Sequence, residues 1–270
     1  MKNYYFICVN FNNAHFTIKF VESINRLKIN SGNIHIIIVD NDSTEEDYKN
    51  LVESFESVNN INLLRNKENV GYFKALNIGI CSVDDKDNSF FIIGNNDIQF
   101  KDDFLIKLDQ IVYNNDVLAI APNIITANGY HQNPHCVTRV STFRKMAYRL
   151  YFTNYYLGRF LYWLATKHKK IKGNKDNALY DKHCYIYMGI GASYVLTEHF
   201  FKFYTKLDDR VFLWGEEALL AGQLSAVGGK LLYNPNIIVY HAENSSVKKI
   251  PSRETYEITR KSYKIYSKYL

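Results

Sequence analysis

Residues 34–40, IHIIIVD, form a near-continuous β-branched run that stops in an aspartate. Such residues favour extended backbone, and an unbroken apolar run fits a strand covered on both faces, as in a parallel sheet. A helix is expected next. Ser43 and Glu46 have the S-x-x-E spacing of a capping box, and Tyr48, Leu51, Val52, Phe55 and Val58 recur at helical spacing. This strand-then-helix unit is the key to the first 125 residues.

On the N-terminal side, YYFICVNF (4–11) reads as a strand, and Phe16, Phe20, Ile24 and Leu27 follow at helical spacing. On the C-terminal side come a strand at INLLR (61–65) and a helix after Gly71 carrying Phe73, Leu76 and Ile80. A strand at FFIIG (90–94), a helix over 103–114 and a strand at VLAIAP (117–122) complete the series. The alternation predicts an α/β fold with a doubly wound, mostly parallel sheet.

In such sheets ligands bind beyond the carboxyl ends of the strands, at a switch in strand order. Four strands in succession end in Asn and Asp: Asn10 and Asn12, Asp40 to Asp42, Asn66 to Asn69, and Asn95 to Asp97. These residue types also form turns well, so any one cluster has a structural explanation. Asp97 stands where a diphosphate could approach, and Asp and Asn oxygens are hard ligands suited to Mg²⁺ or Mn²⁺.

Further on, CYIYMGIGASYVLTEHFF (184–201) predicts a strand, a glycine turn and a helix start. Ala218, Leu219, Leu220, Leu224 and Val227 suit a buried helix ending at Gly228-Gly229, and KLLYNPNIIVYH (230–241) suits a hairpin-like pair of strands around Asn234-Pro235. A polar, tyrosine-rich surface helix is expected after Pro251. Glu216 and Glu217 open the buried helix. Adjacent carboxylates there can simply complement the helix dipole, or one can act as a general base beside its neighbour. His241 closes a strand as a further metal-ligand candidate.

Residues 139–175 differ in kind. They mix Arg and Lys with Tyr, Phe and Trp, contain no acid, and include the basic tail KHKKIK. Helices of this composition bind anionic membrane interfaces, and they can equally pack their aromatics inward. No nucleic-acid motif accompanies the charge, and no nucleic-acid partner is expected.

Composition sets the outer bounds. The chain has 270 residues, 47% hydrophobic and 15% aromatic, with a formal charge of +6, so it can bury a large globular core. Four scattered cysteines without a C-x-x-C pair read as reduced thiols in a cytoplasmic protein. The N-terminal run lacks a cleavage signal, and no stretch approaches the roughly 20 apolar residues of a membrane span. There is no G-x-G-x-x-G after the first strand. GGK (228–230) is not a phosphate loop, since Leu231 follows where Ser or Thr is needed. His131, His135 and Cys136 read as a solvated loop, for want of a second ligand cluster.

Seven short motifs, in order, resemble those of the nucleotide-sugar glycosyltransferases of family 2, in the branch that includes many bacterial rhamnosyltransferases. They are VNFNN (9–13), IIIVDNDST (36–44), NKENVGYFKALNIGI (66–80), GNNDI (94–98), GAS (191–193), WGEEALL (214–220) and VYH (239–241). The resemblance implies a GT-A fold: one catalytic domain over 1–250, with a nucleotide-binding half at 1–125, a helical insertion at 139–175, an acceptor half at 184–245, and a tail at 251–270. It implies nucleotide contacts from Asn10, Asn12, Asp40, Asn41, Asn69, Gly71, Asn77 and Asn96. A cation, Mg²⁺ or Mn²⁺, would be held by Asp97, Asn95 and His241.

Glu217 falls where the family has its aspartate base, Glu216 matches the preceding Glu, and Leu219 replaces a second acid. The implied activity is hexosyltransferase-type (EC 2.4) inverting transfer from dTDP-rhamnose or a UDP-sugar. The implied acceptor is a lipid-linked or oligosaccharide one in surface polysaccharide synthesis, reached by peripheral attachment to the inner face of the cytoplasmic membrane through 139–175. The alternatives are a non-catalytic nucleotide-binding relative and a sugar nucleotidyltransferase.

Overall fold

The computed structural model describes residues 1–56, 58–169, 178–242 and 252–270. The run at 34–40 lies in strand β2 (Asn33–Asp40), flanked by β1 (Asn3–Asn10) and β3 (Ile61–Arg65), both parallel to it. Its alternation splits the core in two. Ile36 and Ile38 face one apolar cluster while Ile37 and Val39 face the other, as the period of two requires. Helices α1 (Ala14–Asn25), α2 (Glu45–Phe55) and α4 (Phe104–Asp109) cover the first face. Helices α3 (Tyr72–Cys81) and α7 (Glu216–Ala226) cover the second. The result is the expected doubly wound α/β sheet.

The remaining strands are β4 (Ser89–Asn95), β5 (Ile98–Phe100), β6 (Val117–Thr126), β7 (Cys184–Ile186), β8 (Ser193–Leu196) and β9 (Lys230–His241). The order is β3-β2-β1-β4-β8-β6-β9-β5, with β7 also on β9. Six of the nine strands run the same way; β5, β7 and β8 oppose them. The chain switches direction of winding at β1, which has β2 on one side and β4 on the other. That junction is where a crevice opens.

Several local expectations are corrected. The stretch expected to be a hairpin at 230–241 is one strand, β9, whose register against β6 jumps between Asn234 and Ile238. Pro235 cannot donate to a ladder, and a bulge absorbs it without ending the strand. After the glycine turn at 189–191 comes β8, not a helix, and it inserts antiparallel between β4 and β6. Gly94 permits the fit, because a Cβ there would lie 2.5 Å from the carbonyl oxygen of Ala192. The helix expected over 103–114 stops at Asp109, and β6 runs on to Thr126. The cap of α2 is Thr44, accepting from the Asp47 N–H; the Ser43 hydroxyl instead accepts from the Asn12 N–H. Val58 and Val227 are exposed.

The insertion folds as α5 (Thr142–Tyr151) and α6 (Tyr155–Lys169). From residue 170 on, the expected basic tail lies outside the described residues. The C-terminal helix α8 (Arg253–Tyr266) is not merely superficial. Tyr256 is buried and donates its hydroxyl to the Tyr151 carbonyl, and Arg260 donates to that of Phe152. Tyr266 fills the space over Gly215, where a Cβ would lie 2.1 Å from its ring. Part of the tyrosine excess is thus packing that ties α8 to α6 and α7.

Candidate active site

The carboxyl ends of β1, β2 and β4 surround a cavity of about 460 Å³. Asn41, Asn69, Gly71, Asn95, Asn96 and Asp97 line it. So do residues that strand-end reasoning did not single out: Phe11, Tyr72, Phe212 and Leu213. Phe11 and Phe212 are 44% and 45% exposed, leaving two aromatic rings at the edges of the cavity. Their signal in the sequence is weak, since single aromatics in loops are common.

The other strand-end polar residues are wired into the scaffold. Asn10, fully buried, donates to Asp40, Ser43 and Asp47 and accepts from Thr17 and Asn96. Asp40, also fully buried, accepts from Asn10 and the Ser43 N–H and lies 3.7 Å from the Arg65 guanidinium. Asn12 accepts from the Thr44 N–H. Asn77 exchanges hydrogen bonds with the Leu207 backbone and donates to Asp209. None of these four lines the cavity.

Asn41 does both jobs. Its side chain accepts from Asn66 (2.9 Å) and the Val70 N–H (3.1 Å) and donates to Asn69 (2.9 Å), so it shapes the loop that brings Gly71 to the cavity wall. Gly71 has φ of 90°, and a Cβ there would lie 2.4 Å from the Phe212 carbonyl oxygen. Only glycine fits that approach.

Asp97 and His241 are brought together from distant parts of the chain. The His241 Nε2 is 3.3 Å from Asp97 Oδ1, both side chains are mostly buried, and His241 Nδ1 is 2.9 Å from Gln132 Oε1. Sheet register sets this meeting, since Ile98 of β5 pairs with His241 of β9. A carboxylate oxygen and an imidazole nitrogen at one point suit a divalent cation. Among the described residues no third His, Cys, Asp or Glu joins them. That fits a cation completed by substrate phosphates rather than a closed protein cage. Asn95 lines the same cavity, and its N–H donates to the Ala192 carbonyl (2.9 Å).

The two glutamates of α7 have different surroundings. Glu216 is buried, and its Oε1 has no hydrogen-bond partner. Burial, with repulsion from Glu217 second, pushes its carboxyl up to about 8, partly offset by the N–H groups of Glu216 and Trp214. It therefore carries a proton at neutral pH. Glu217 is half-buried, and its Oε1 accepts from the Gly191 N–H at 3.2 Å. Tyr72 donates to the Gly191 carbonyl at 3.1 Å. Its phenol is held well above the usual range by burial first, then by the charges of Glu216, Asp97 and Glu217. Tyr72 thus lines the cavity with Asp97 and feels the glutamates, and one residue, Gly191, links it to Glu217 through its carbonyl and its N–H.

His131 and His135 do not come together as a metal site: His131 packs against the Tyr180 ring at a tilt and contacts Asn123, while His135 lies near Glu217. Cys8, Cys81, Cys136 and Cys184 are free thiols. No helix among the described residues is long and apolar enough to cross a membrane.

The model of "Glycosyl transferase family 2" matches residues 5–184. No curated protein sequence matches the chain. Among solved structures, GalNAc-T7 with UDP, GalNAc and Mn²⁺ aligns at a TM-score of 0.62 and 15% identity, over 90% of this chain and 44% of its own. The mannosyltransferase PcManGT from Pyrobaculum calidifontis, in complex with GDP-Man and Mn²⁺, aligns at 0.60 and 13%, over 98% of this chain and 62% of its own. S. aureus TarS 1-349 in complex with UDP-GlcNAc aligns at 0.59 and 12%, over 96% and 64%. This chain therefore spans about half to two thirds of those structures, which share its GT-A fold. With two thirds of its length matching the family model, the chain belongs to glycosyl transferase family 2.

Proposed function

We propose that the chain is an inverting, hexosyltransferase-type glycosyltransferase. Its donor is a nucleotide-diphospho-sugar, dTDP-rhamnose or a UDP-sugar, and its acceptor is a lipid-linked glycan of bacterial surface polysaccharide synthesis. The observation that carries the reading is the placement of two chemistries around Tyr72: a cation-suited pair, Asp97 and His241, and a carboxylate, Glu217, held by Gly191.

The nucleotide lies in the cavity beyond β1, β2 and β4. Asn41, Asn69, Asn95 and Asn96 offer hydrogen bonds there, and Phe11 and Phe212 offer flat apolar surfaces. Asn10, Asn12, Asp40 and Asn77 act one step back, by holding the loops that carry those groups. Asp97 and His241, with Asn95 beside them, would hold Mg²⁺ or Mn²⁺, which would supply positive charge against the diphosphate leaving group.

Glu217 takes the proton of the acceptor hydroxyl as its oxygen bonds to the anomeric carbon. The bond from that carbon to the nucleoside diphosphate breaks on the opposite face, so configuration inverts without a covalent enzyme intermediate. Glu216, protonated, keeps a second negative charge away from the base.

The arm formed by α5 and α6 supports attachment to an anionic membrane face. It has no acidic residue, carries Arg144, Lys145, Arg149, Arg159 and Lys167, and exposes Phe143, Met146, Phe160 and Trp163. Such attachment is consistent with a lipid-linked acceptor on the cytoplasmic side.

The test is turnover of a nucleotide-sugar panel (dTDP-rhamnose, UDP-hexoses and UDP-galactofuranose) with Mn²⁺ or Mg²⁺. Turnover of one donor, abolished by chelator and by Asp97→Ala, is expected. Glu217→Gln should lose about 10²–10⁴-fold in transfer while still binding the nucleotide. Activity indifferent to chelator removes the metal role. Full activity in Glu217→Gln removes the base. Nucleotide binding without turnover on every acceptor tried favours a non-catalytic relative, and pyrophosphate release from a nucleoside triphosphate favours a nucleotidyltransferase.

A further inference from the structure

Glu217 does not line the nucleotide cavity. It lines a second, larger one of about 640 Å³, enclosed by α5, α6, the start of α7 and the end of α8. The wall from the arm follows helical spacing. Arg144, Ala147, Tyr148 and Tyr151 form one stripe of α5, and Leu161, Tyr162 and Ala165 form one stripe of α6. Neither the sequence motifs nor the nucleotide site accounts for this space.

Its volume is that of a small-molecule site, and its wall is mostly carbon. Glu217, His135 and Arg144 interrupt it, along with the Cys136 thiol and the phenol groups of Tyr148, Tyr151, Tyr162 and Tyr266. An oligosaccharide has a hydroxyl on nearly every carbon, and most would go unpaired against such a wall. A chain of CH₂ groups would not.

α5 has no buried residue, although six of its ten residues are apolar or aromatic. Beside its inward stripe lies an outward one, Phe143 (82% exposed), Met146 and Leu150 (52% exposed). Leu150 belongs to both, lining the cavity while exposed to solvent. The apolar lining is therefore continuous with the apolar outer face of the arm. An occupant could pass from one to the other without leaving carbon, and among the described residues Arg144 is the arginine that the wall offers to an anion.

We propose that this cavity is a binding site for an anionic amphiphile, a lipid phosphate whose alkyl chain lies along α5 and α6, whose phosphate lies at Arg144, and whose head group reaches Glu217. The assignment rests on the glycosyltransferase reading for the role of that head group as acceptor, and the binding itself can be tested without it.

The probe is dodecyl phosphate below its micellar concentration, titrated calorimetrically into the full chain. Inorganic phosphate is titrated as the anion alone and dodecyl maltoside as the chain alone. One dodecyl phosphate per chain is expected, with both controls at least tenfold weaker. Ala165→Trp and Ala147→Trp, which fill the cavity from two helices, should each weaken it at least tenfold, as should Arg144→Gln. Phe143→Ser, on the outer stripe only, should leave it unchanged. UDP binding, measured alongside, verifies that each variant is folded.

The assignment is overturned if dodecyl phosphate fails to bind, if neither tryptophan weakens it, or if Phe143→Ser removes it while Ala165→Trp does not, which is adsorption to the outer face. Loss of the amphiphile site with nucleotide-sugar turnover intact overturns the cavity assignment alone. Intact amphiphile binding in a protein that turns over no nucleotide sugar overturns the acceptor role and the proposed function with it.

Discussion

Replacing Glu216 with Gln isolates the cost of one buried carboxyl. In the folded protein burial raises it from an ordinary 4.5 to about 8, so the folded chain holds this proton more tightly than the unfolded chain does. Stability from the group is complete below about pH 4.5 and is lost as pH rises toward 8. At 1.36 kcal/mol per pH unit, the loss relative to a permanently neutral group is about 1 kcal/mol at pH 5 and about 4 kcal/mol at pH 8. Gln keeps the shape and cannot ionise. The protonated oxygen already lacks a partner, so the amide adds no large new penalty at low pH.

Urea unfolding of both proteins at pH 5, 6, 7 and 8 reads the difference directly. The variant should be within about 1 kcal/mol of the parent at pH 5 and should gain on it with every pH unit thereafter. Other titrating groups cancel in the comparison. Parallel stability curves for the two proteins across this range would refute the reasoning, because they would mean that Glu216 ionises alike in both states.

Three further outcomes follow from named contacts. Gly191→Ala puts a Cβ 3.0 Å from Glu217 Oε1, so the carboxylate must move; transfer should fall about 10²-fold with the donor KM unchanged. Asn41→Ala frees the 66–71 loop from three side-chain hydrogen bonds, and urea unfolding should show a loss of about 1–3 kcal/mol together with weaker UDP binding. Gln132→Ala removes the group facing His241 Nδ1. Mn²⁺ affinity in the presence of UDP, followed by electron paramagnetic resonance, should fall about 10–100-fold.

The parallel half of the sheet is legible because its strands are long enough to show their burial. Ile36 to Val39 are apolar on both faces, and only a strand between two helical layers asks for that. β5 and β8, with three and four residues, are too short to display any period, yet they hold the two halves of the site in register. Pro235 misleads in the opposite direction, since a proline ordinarily ends a strand and here a bulge carries it.

At the site, Asp97 and His241 stand out as polar residues at strand ends, and the fold brings them within 3.3 Å. The same rule also selects Asn10 and Asp40, whose bonding is internal, because a strand-end polar residue can serve either the ligand or the loop beside it. Tyr72, Phe212 and Arg144 enter through the packing of segments far apart in the chain. No local pattern carries that information.

The register of β5 on β9 has a consequence for how the protein is made. Asp97 meets His241 across 144 intervening steps of chain, with the Ala242 N–H bonded to the Asp97 carbonyl at 3.0 Å. At roughly 5–20 residues per second, translation completes β1 to β4 several seconds before the histidine emerges. During that interval the nucleotide half can collapse around its own core but cannot present a finished cation site. Under the proposed function, cation affinity would therefore arise only once β9 is in place, and a ribosome-bound or truncated chain ending before β9 would be kept from engaging donor and metal together.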